Sequence, residues 1–131
     1  MITVLDANAA VTLVLGQSKR DHVADILKKA GWVAAPSLYL YEIANTMWKY
    51  YQAGLIPQDI LKEKVLDCTG LVDEFIKAED LHEEAFNLAC RLGHPAYDAS
   101  YLAACLRKKA GLLSFDQRML DTAIKLNIKC W

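Results

Sequence analysis

Ile2-Thr3-Val4-Leu5-Asp6-Ala7-Asn8 is the stretch on which the reading of this chain turns. Ile2 to Leu5 is a short apolar run with no polar face, as expected for a strand buried on both sides. An acid follows it at once. Leu112 to Ser114 repeats the arrangement late in the chain, with Asp116 just beyond. Trp32 to Ala35 is another such run, and Ile128 to Cys130 reads as a last strand. The stretch around Val72 to Ile76 is ambiguous.

Helical patterns fill the intervals. Ser18 and Asp21 form a possible capping box before a helix whose Val23, Ile26, Leu27 and Ala30 share one face. A long helix runs from about Ser37 to Ala53. Pro57 opens a helix carrying Leu61, Val65 and Cys68. Leu81, Ala85, Leu88, Ala89 and Leu92 define an amphipathic helix. Pro95 opens another that runs to about Lys109, and Gln117 to Leu126 forms the last. Short apolar strands alternating with helices predict an α/β fold with a parallel sheet of four or five strands, covered on both faces. Ligands of such sheets bind beyond the carboxyl ends of the strands, where Asp6 and Asp116 stand.

The 131 residues are enough for one domain spanning 1–131. With 54% apolar and 24% charged residues, a disordered chain is excluded. No apolar run approaches the ~20 residues of a membrane span, and the first residues show no secretion signal. Cys68, Cys90, Cys105 and Cys130 have no metal-binding spacing and read as reduced, buried thiols of a cytoplasmic protein. A net charge of −1 gives no global pull on nucleic acid, so RNA would need local basic clusters.

Each acid has an ordinary reading beside the functional one. Asp6 and Asp116 could simply cap the helices that follow them. Glu42 shares a helix face with Asn45, Thr46 and Lys49, a plain solvated face opposite an apolar one of Leu40, Ile43, Ala44, Met47, Trp48 and Tyr51. Asp98 heads an apolar stripe through Tyr101, Leu102 and Cys105. A carboxylate pointing coreward is costly unless paired, and a cation would pair it; favourable placement near a helix N-terminus is the alternative.

Val4-Leu5-Asp6-Ala7-Asn8, Tyr41-Glu42-Ile43-Ala44-Asn45, Tyr97-Asp98-Ala99-Ser100-Tyr101-Leu102-Ala103 and Leu113-Ser114-Phe115-Asp116-Gln117-Arg118-Met119-Leu120 together resemble the PIN-domain family, most of all its VapC-like toxins. The order and spacing of the acids agree from Met1 to Trp131, and Ser114 stands where the family has Thr or Ser. The resemblance implies a three-layer α/β/α fold, metal-dependent endoribonuclease activity, a homodimer and a small antitoxin partner. It implies that Asp6, Glu42, Asp98 and Asp116 hold Mg²⁺ or Mn²⁺, with Asn8 and Ser114 assisting at the substrate.

The chemistry accords with that donor set. Unit charges ~4 Å apart repel by about 4 kcal/mol at an effective dielectric near 20, so clustered carboxylates require a cation or a retained proton. Hard cations prefer oxygen ligands. Such an ion activates water and neutralises phosphate charge, for in-line attack leaving a 5′-phosphate and a 3′-hydroxyl. Lys49, Arg118, Lys19-Arg20 and Arg107-Lys108-Lys109 are candidates for holding RNA, with Trp48, Tyr50 and Tyr51 for stacking bases, although Trp48 and Tyr51 better suit the core or a dimer interface. Asp121 reads as solvated. A phosphoacceptor signalling domain is the rival, but it usually has paired acids after the first strand and a lysine after a late one. Here Ala7 follows Asp6 and the late strand leads to another acid. A non-catalytic interaction module is the other rival.

Overall fold

A computed structural model describes residues 1–131. Along the chain lie β1 (Ile2–Leu5), α1 (Ala7–Val14), α2 (Arg20–Lys29), β2 (Trp32–Pro36), α3 (Leu38–Gln52), α4 (Gln58–Gly70), β3 (Glu74–Ile76), α5 (Ala78–Leu92), α6 (Ala96–Lys108), β4 (Gly111–Leu113) and α7 (Gln117–Lys125). The four strands form one parallel sheet in the order β3-β2-β1-β4. It is a three-layer α/β/α arrangement, as the resemblance implies, and the sheet is parallel, as the sequence pattern predicts. The ambiguous stretch before Ile76 supplies the edge strand β3.

Two apolar cores flank the sheet, and the strands feed both by alternation. Val4 and Leu112 enter the core under α5, α6 and α7, while Leu5 and Leu113 enter the one under α1, α3 and α4. All four are fully buried, each contributing about 1.5–3 kcal/mol of apolar burial. Alanines 99, 103 and 104 let α6 lie across β1, β2 and β4. A Cβ at Gly111 would stand 2.5 Å from the Trp131 ring, so glycine there lets the C-terminal residue pack against the start of β4.

Four expectations are corrected. Ser18 and Asp21 cap nothing: α2 starts after Lys19, whose left-handed backbone (φ 71°) turns the chain in place of a side-chain cap. The last strand shrinks to one bridge between Leu112 and Cys130, because the Ile128 amide turns back to the Ala123 carbonyl and only Leu112 bonds to this segment. Leu40, Ala44, Trp48 and Tyr51 are exposed, and only Tyr39, Ile43 and Met47 of α3 enter the core. A helix on one face of a three-layer fold buries a narrower stripe than its apolar residues mark out. Cys90 is exposed on α5 and Cys130 half-buried, so only Cys68 and Cys105 are buried thiols. No helix is long and apolar enough to cross a membrane.

Candidate active site

The sheet extends from β1 to β2 and β3 on one side and to β4 on the other, so β1 and β4 meet where the chain changes direction across the sheet. Crevices open beyond the carboxyl ends of strands at such points. One of about 330 Å³ lies there, lined by Asp6, Glu42, Asp98 and Asp116, with Asn8, Gln17, Thr46 and Phe115 among its other walls. All four sequence-marked acids therefore face one space, although they come from two strand ends and two helices.

Asp6 ends β1 and precedes α1, but its side chain caps nothing. Its Oδ2 accepts a hydrogen bond from Ser114 Oγ at 2.6 Å. Ser114 Oγ accepts in turn from the Asp116 amide at 3.0 Å. One hydroxyl thus ties the two strand ends together. The loop is pinned again by Asn8, whose Oδ1 accepts from the Phe115 amide at 3.1 Å. Asp116 does cap its helix: Oδ1 accepts from the Met119 amide at 3.0 Å. Glu42 reaches the cleft from α3, and its Oε1 accepts from the Tyr101 hydroxyl at 2.6 Å. Asp98 sits half-buried in the first turn of α6, after Pro95 as cap, so it lines the cleft wall rather than the core.

Burial dominates the electrostatics. It pushes the Asp6 carboxyl up to about 7, helped by the like charges of Glu42 and Asp116 and opposed by the Ser114 hydrogen bond. Burial also raises Glu42, with Tyr101 opposing and Asp98 adding to the rise. Asp98 is raised by burial and by Asp116, and lowered by His94 and Arg118. Crowding alone, the cause expected from four clustered acids, is the smaller effect. Tyr101, also buried, has its own ionisation pushed far upward and remains a hydrogen-bond donor. The two ion pairs of the molecule, Arg107–Glu84 and Lys108–Glu74, lie elsewhere, so none of the four acids has an ion-pair partner.

The residues fit a hydrated hard cation. The lining offers oxygen donors and neither cysteine nor histidine. No three His, Cys, Asp or Glu side chains close into a tight cage. Mg²⁺ keeps several waters and takes only one or two carboxylates directly, so an open ring of acids suits it better than a dry cage.

The expected substrate contacts fare differently. Asn8 lines the cleft, with its Oδ1 engaged by Phe115. Ser114 is fully buried beneath the acids, and both of its bonds go to the protein, so it orients carboxylates and is closed to substrate. Arg118 is turned away to the Gly93 carbonyl at 2.7 Å. Lys49 is exposed further along α3, outside the lining. Arg107 and Lys108 are taken by their ion pairs. Lys19 stands over the Phe115 ring, 5.2 Å from its centroid, at the cleft rim. Asp121 accepts from Gln117 on the exposed side of α7. Tyr50 takes a hydrogen bond from Gln17. Trp48 and Tyr51 line a separate apolar hollow of about 380 Å³ between α3 and α4. Two functional features escape sequence reading. Tyr101 reads as one more apolar residue of its stripe, and Phe115 as a loop residue; only the position of Tyr101 three residues after Asp98 hints at a shared face.

Residues 3–125 match the PIN domain. Ribonuclease VapC3 of Pyrobaculum aerophilum is 28% identical over 130 residues, which cover 92% of this chain and 94% of that protein. Among solved structures, PAE2754 from Pyrobaculum aerophilum superposes with a TM-score of 0.74 at 21% identity, over 92% of this chain and 78% of that one. VapBC2 from Rickettsia felis, bound to a DNA fragment from its promoter, gives 0.68 at 15% identity, over 100% and 98%. A toxin–antitoxin complex from Klebsiella pneumoniae gives 0.65 at 14%, over 90% and 89%.

Proposed function

The chain belongs to the PIN-domain family, and from that premise we propose that residues 1–131 form one PIN-like unit acting as a Mg²⁺- or Mn²⁺-dependent endoribonuclease, the toxin of a toxin–antitoxin pair. The observation that carries this reading is the unpaired acid ring: four carboxylates around one cleft, Asp6 almost wholly buried, with no ion pair to any of them. A buried carboxylate without a cation is costly, and folding alone gives no reason to gather four. The similarity to a ribonuclease over nearly the whole chain supplies the substrate class.

Asp6, Glu42, Asp98 and Asp116 would hold the ion. When bound, it supplies activated water and charge neutralisation at the phosphate. Ser114 keeps Asp6 oriented, and Tyr101 keeps Glu42 oriented; such partners fix a ligand's direction and are costly to lose. Asn8 walls the cleft beside the scissile position. Lys19 and Lys49, both exposed and free of ion pairs, take flanking RNA phosphates, and Phe115 offers a face to a base. The exposed Trp48 and Tyr51 hollow gives an apolar surface suited to a protein partner such as an antitoxin. Residence in the cytoplasm and a homodimer complete the proposal.

The test is cleavage of single-stranded RNA by purified protein with Mg²⁺ or Mn²⁺, with EDTA, and with metal restored. Cutting that EDTA stops and metal restores is the expected result. Cutting in EDTA, or none with either metal, would overturn the reading and favour a phosphoacceptor or a binding module.

A further inference from the structure

Asp98 is not on the sheet. Its distance from Asp116 is set by how α6 packs across the sheet and by what holds the start of that helix. The turn Gly93-His94-Pro95, which joins α5 to α6, lies one helical turn before Asp98. His94 is only 8% exposed. Its Nε2 is hydrogen-bonded to Thr122 Oγ1 on α7. The Thr122 hydroxyl also donates to the Arg118 carbonyl at 3.0 Å. A hydroxyl has one proton. With that proton on the Arg118 carbonyl, Nε2 of His94 is the donor to Thr122. Nδ1 is buried and has no partner. A second strap crosses the same gap, where Arg118 Nη2 donates to the Gly93 carbonyl at 2.7 Å.

Residues 118 and 122 are one turn apart on α7, so both straps grip the same side of the helix that Asp116 caps. The turn they hold leads directly into the helix that carries Asp98. An orphaned buried nitrogen is costly, and an apolar side chain would fill the same volume without that cost. Simple packing therefore does not account for a histidine here. We infer that His94, Thr122 and Arg118 are positioning residues, a two-strap clamp that sets the span between Asp98 and Asp116 and thereby the affinity of the cleft for a divalent cation. This deepens the metal reading above and rests on it.

The straps make a prediction of sign. Arg118 is a positive charge near Asp98. If charge were its only influence, removing it would tighten cation binding. If it is a strap, removing it loosens binding. The experiment measures Mn²⁺ affinity of the full chain by equilibrium titration, for wild type, Arg118→Met, Thr122→Val and the pair, with melting temperature recorded for each. The clamp predicts about tenfold weaker Mn²⁺ binding for each single variant and more for the pair, with Arg118→Met, an exposed site, melting as wild type does. Unchanged or tighter binding by Arg118→Met, with wild type binding Mn²⁺, overturns the clamp and leaves the proposed nuclease standing. If wild type binds no Mn²⁺, the metal reading fails, and the clamp fails with it. Should Thr122→Val melt early, Arg118→Met decides alone.

Discussion

The β1–α1 and β4–α7 turns share a pattern: a short apolar strand, an aspartate, a helix. At the second, Asp116 does the local work the pattern suggests and caps α7 through the Met119 amide. At the first, Asp6 has the cap position and caps nothing. Its carboxylate is instead buried and bonded to Ser114, 108 residues away. A capping aspartate explains itself locally. A buried one beside two other acids does not, and on the proposed reading its charge serves a cation. The two turns show that a local motif fixes where an acid stands, while the tertiary setting decides what it does there.

The comparison breaks most visibly in the chemistry. Asp6→Asn keeps the shape and an acceptor for Ser114 but removes the charge, so RNA cleavage should fall at least about 100-fold, by the scale of lost metal-site partners. In metal-free protein at pH 8 the same change should raise stability by up to about 4 kcal/mol, the equivalent of a carboxyl raised from 3.8 to about 7. Chemical denaturation checks the second result; early unfolding of Asp6→Asn would make Asp6 a structural acid.

The pH dependence sharpens it next. Because the folded-state value of Asp6 lies above its ordinary one, between pH 4 and about 7 the folded chain keeps a proton that the unfolded chain has lost. Stability of metal-free protein should therefore fall as pH rises through that window and level off above it. Glu42 and Asp98, both raised, push the same way. Saturating Mg²⁺ should flatten the slope. Denaturation midpoints at pH 5 and pH 8, with and without Mg²⁺, read both effects.

Ser114 joins the two turns, so Ser114→Ala should cost about 1–3 kcal/mol for two lost buried bonds and weaken metal binding about tenfold. Equal stability would show that water replaces the hydroxyl. The smallest effect belongs to the cap: Asp116→Ala should cost about 1 kcal/mol, whereas Asp116→Asn, an equally good cap, should be near neutral for stability yet still inactive. Thermal melts of the pair, beside cleavage assays, separate its capping from its charge.

Much of this arrangement was legible in the residues. Ile2 to Leu5 and Leu112 to Ser114 read as buried strands because apolar runs of that length bury both faces, and parallel-sheet geometry then put Asp6 and Asp116 at one edge. Glu42 and Asp98 are placed by resemblance, since helical periodicity alone does not show that two helices lean over the same crevice. Tyr101 and the double role of Ser114 were hidden because their partners are 59 and 108 residues distant. The exposure of Trp48 is hidden from the sequence for a related reason. A helix shows which residues share a face, but only packing decides which face is covered.

Proton release on metal binding reports whether a cation enters the carboxylate cleft. With its carboxyl raised to about 7, Asp6 retains proton at neutral pH, and a cation in the cleft must displace it. Calorimetric titration of Mn²⁺ in two buffers of different ionisation heat should show roughly half a proton or more released by wild type at pH 7, with release falling toward zero at pH 9. Asp6→Asn should bind far more weakly and release less. Mn²⁺ binding to wild type with no proton released at pH 7, or equal affinity in Asp6→Asn, would place the cation outside the carboxylate cleft and contradict the account.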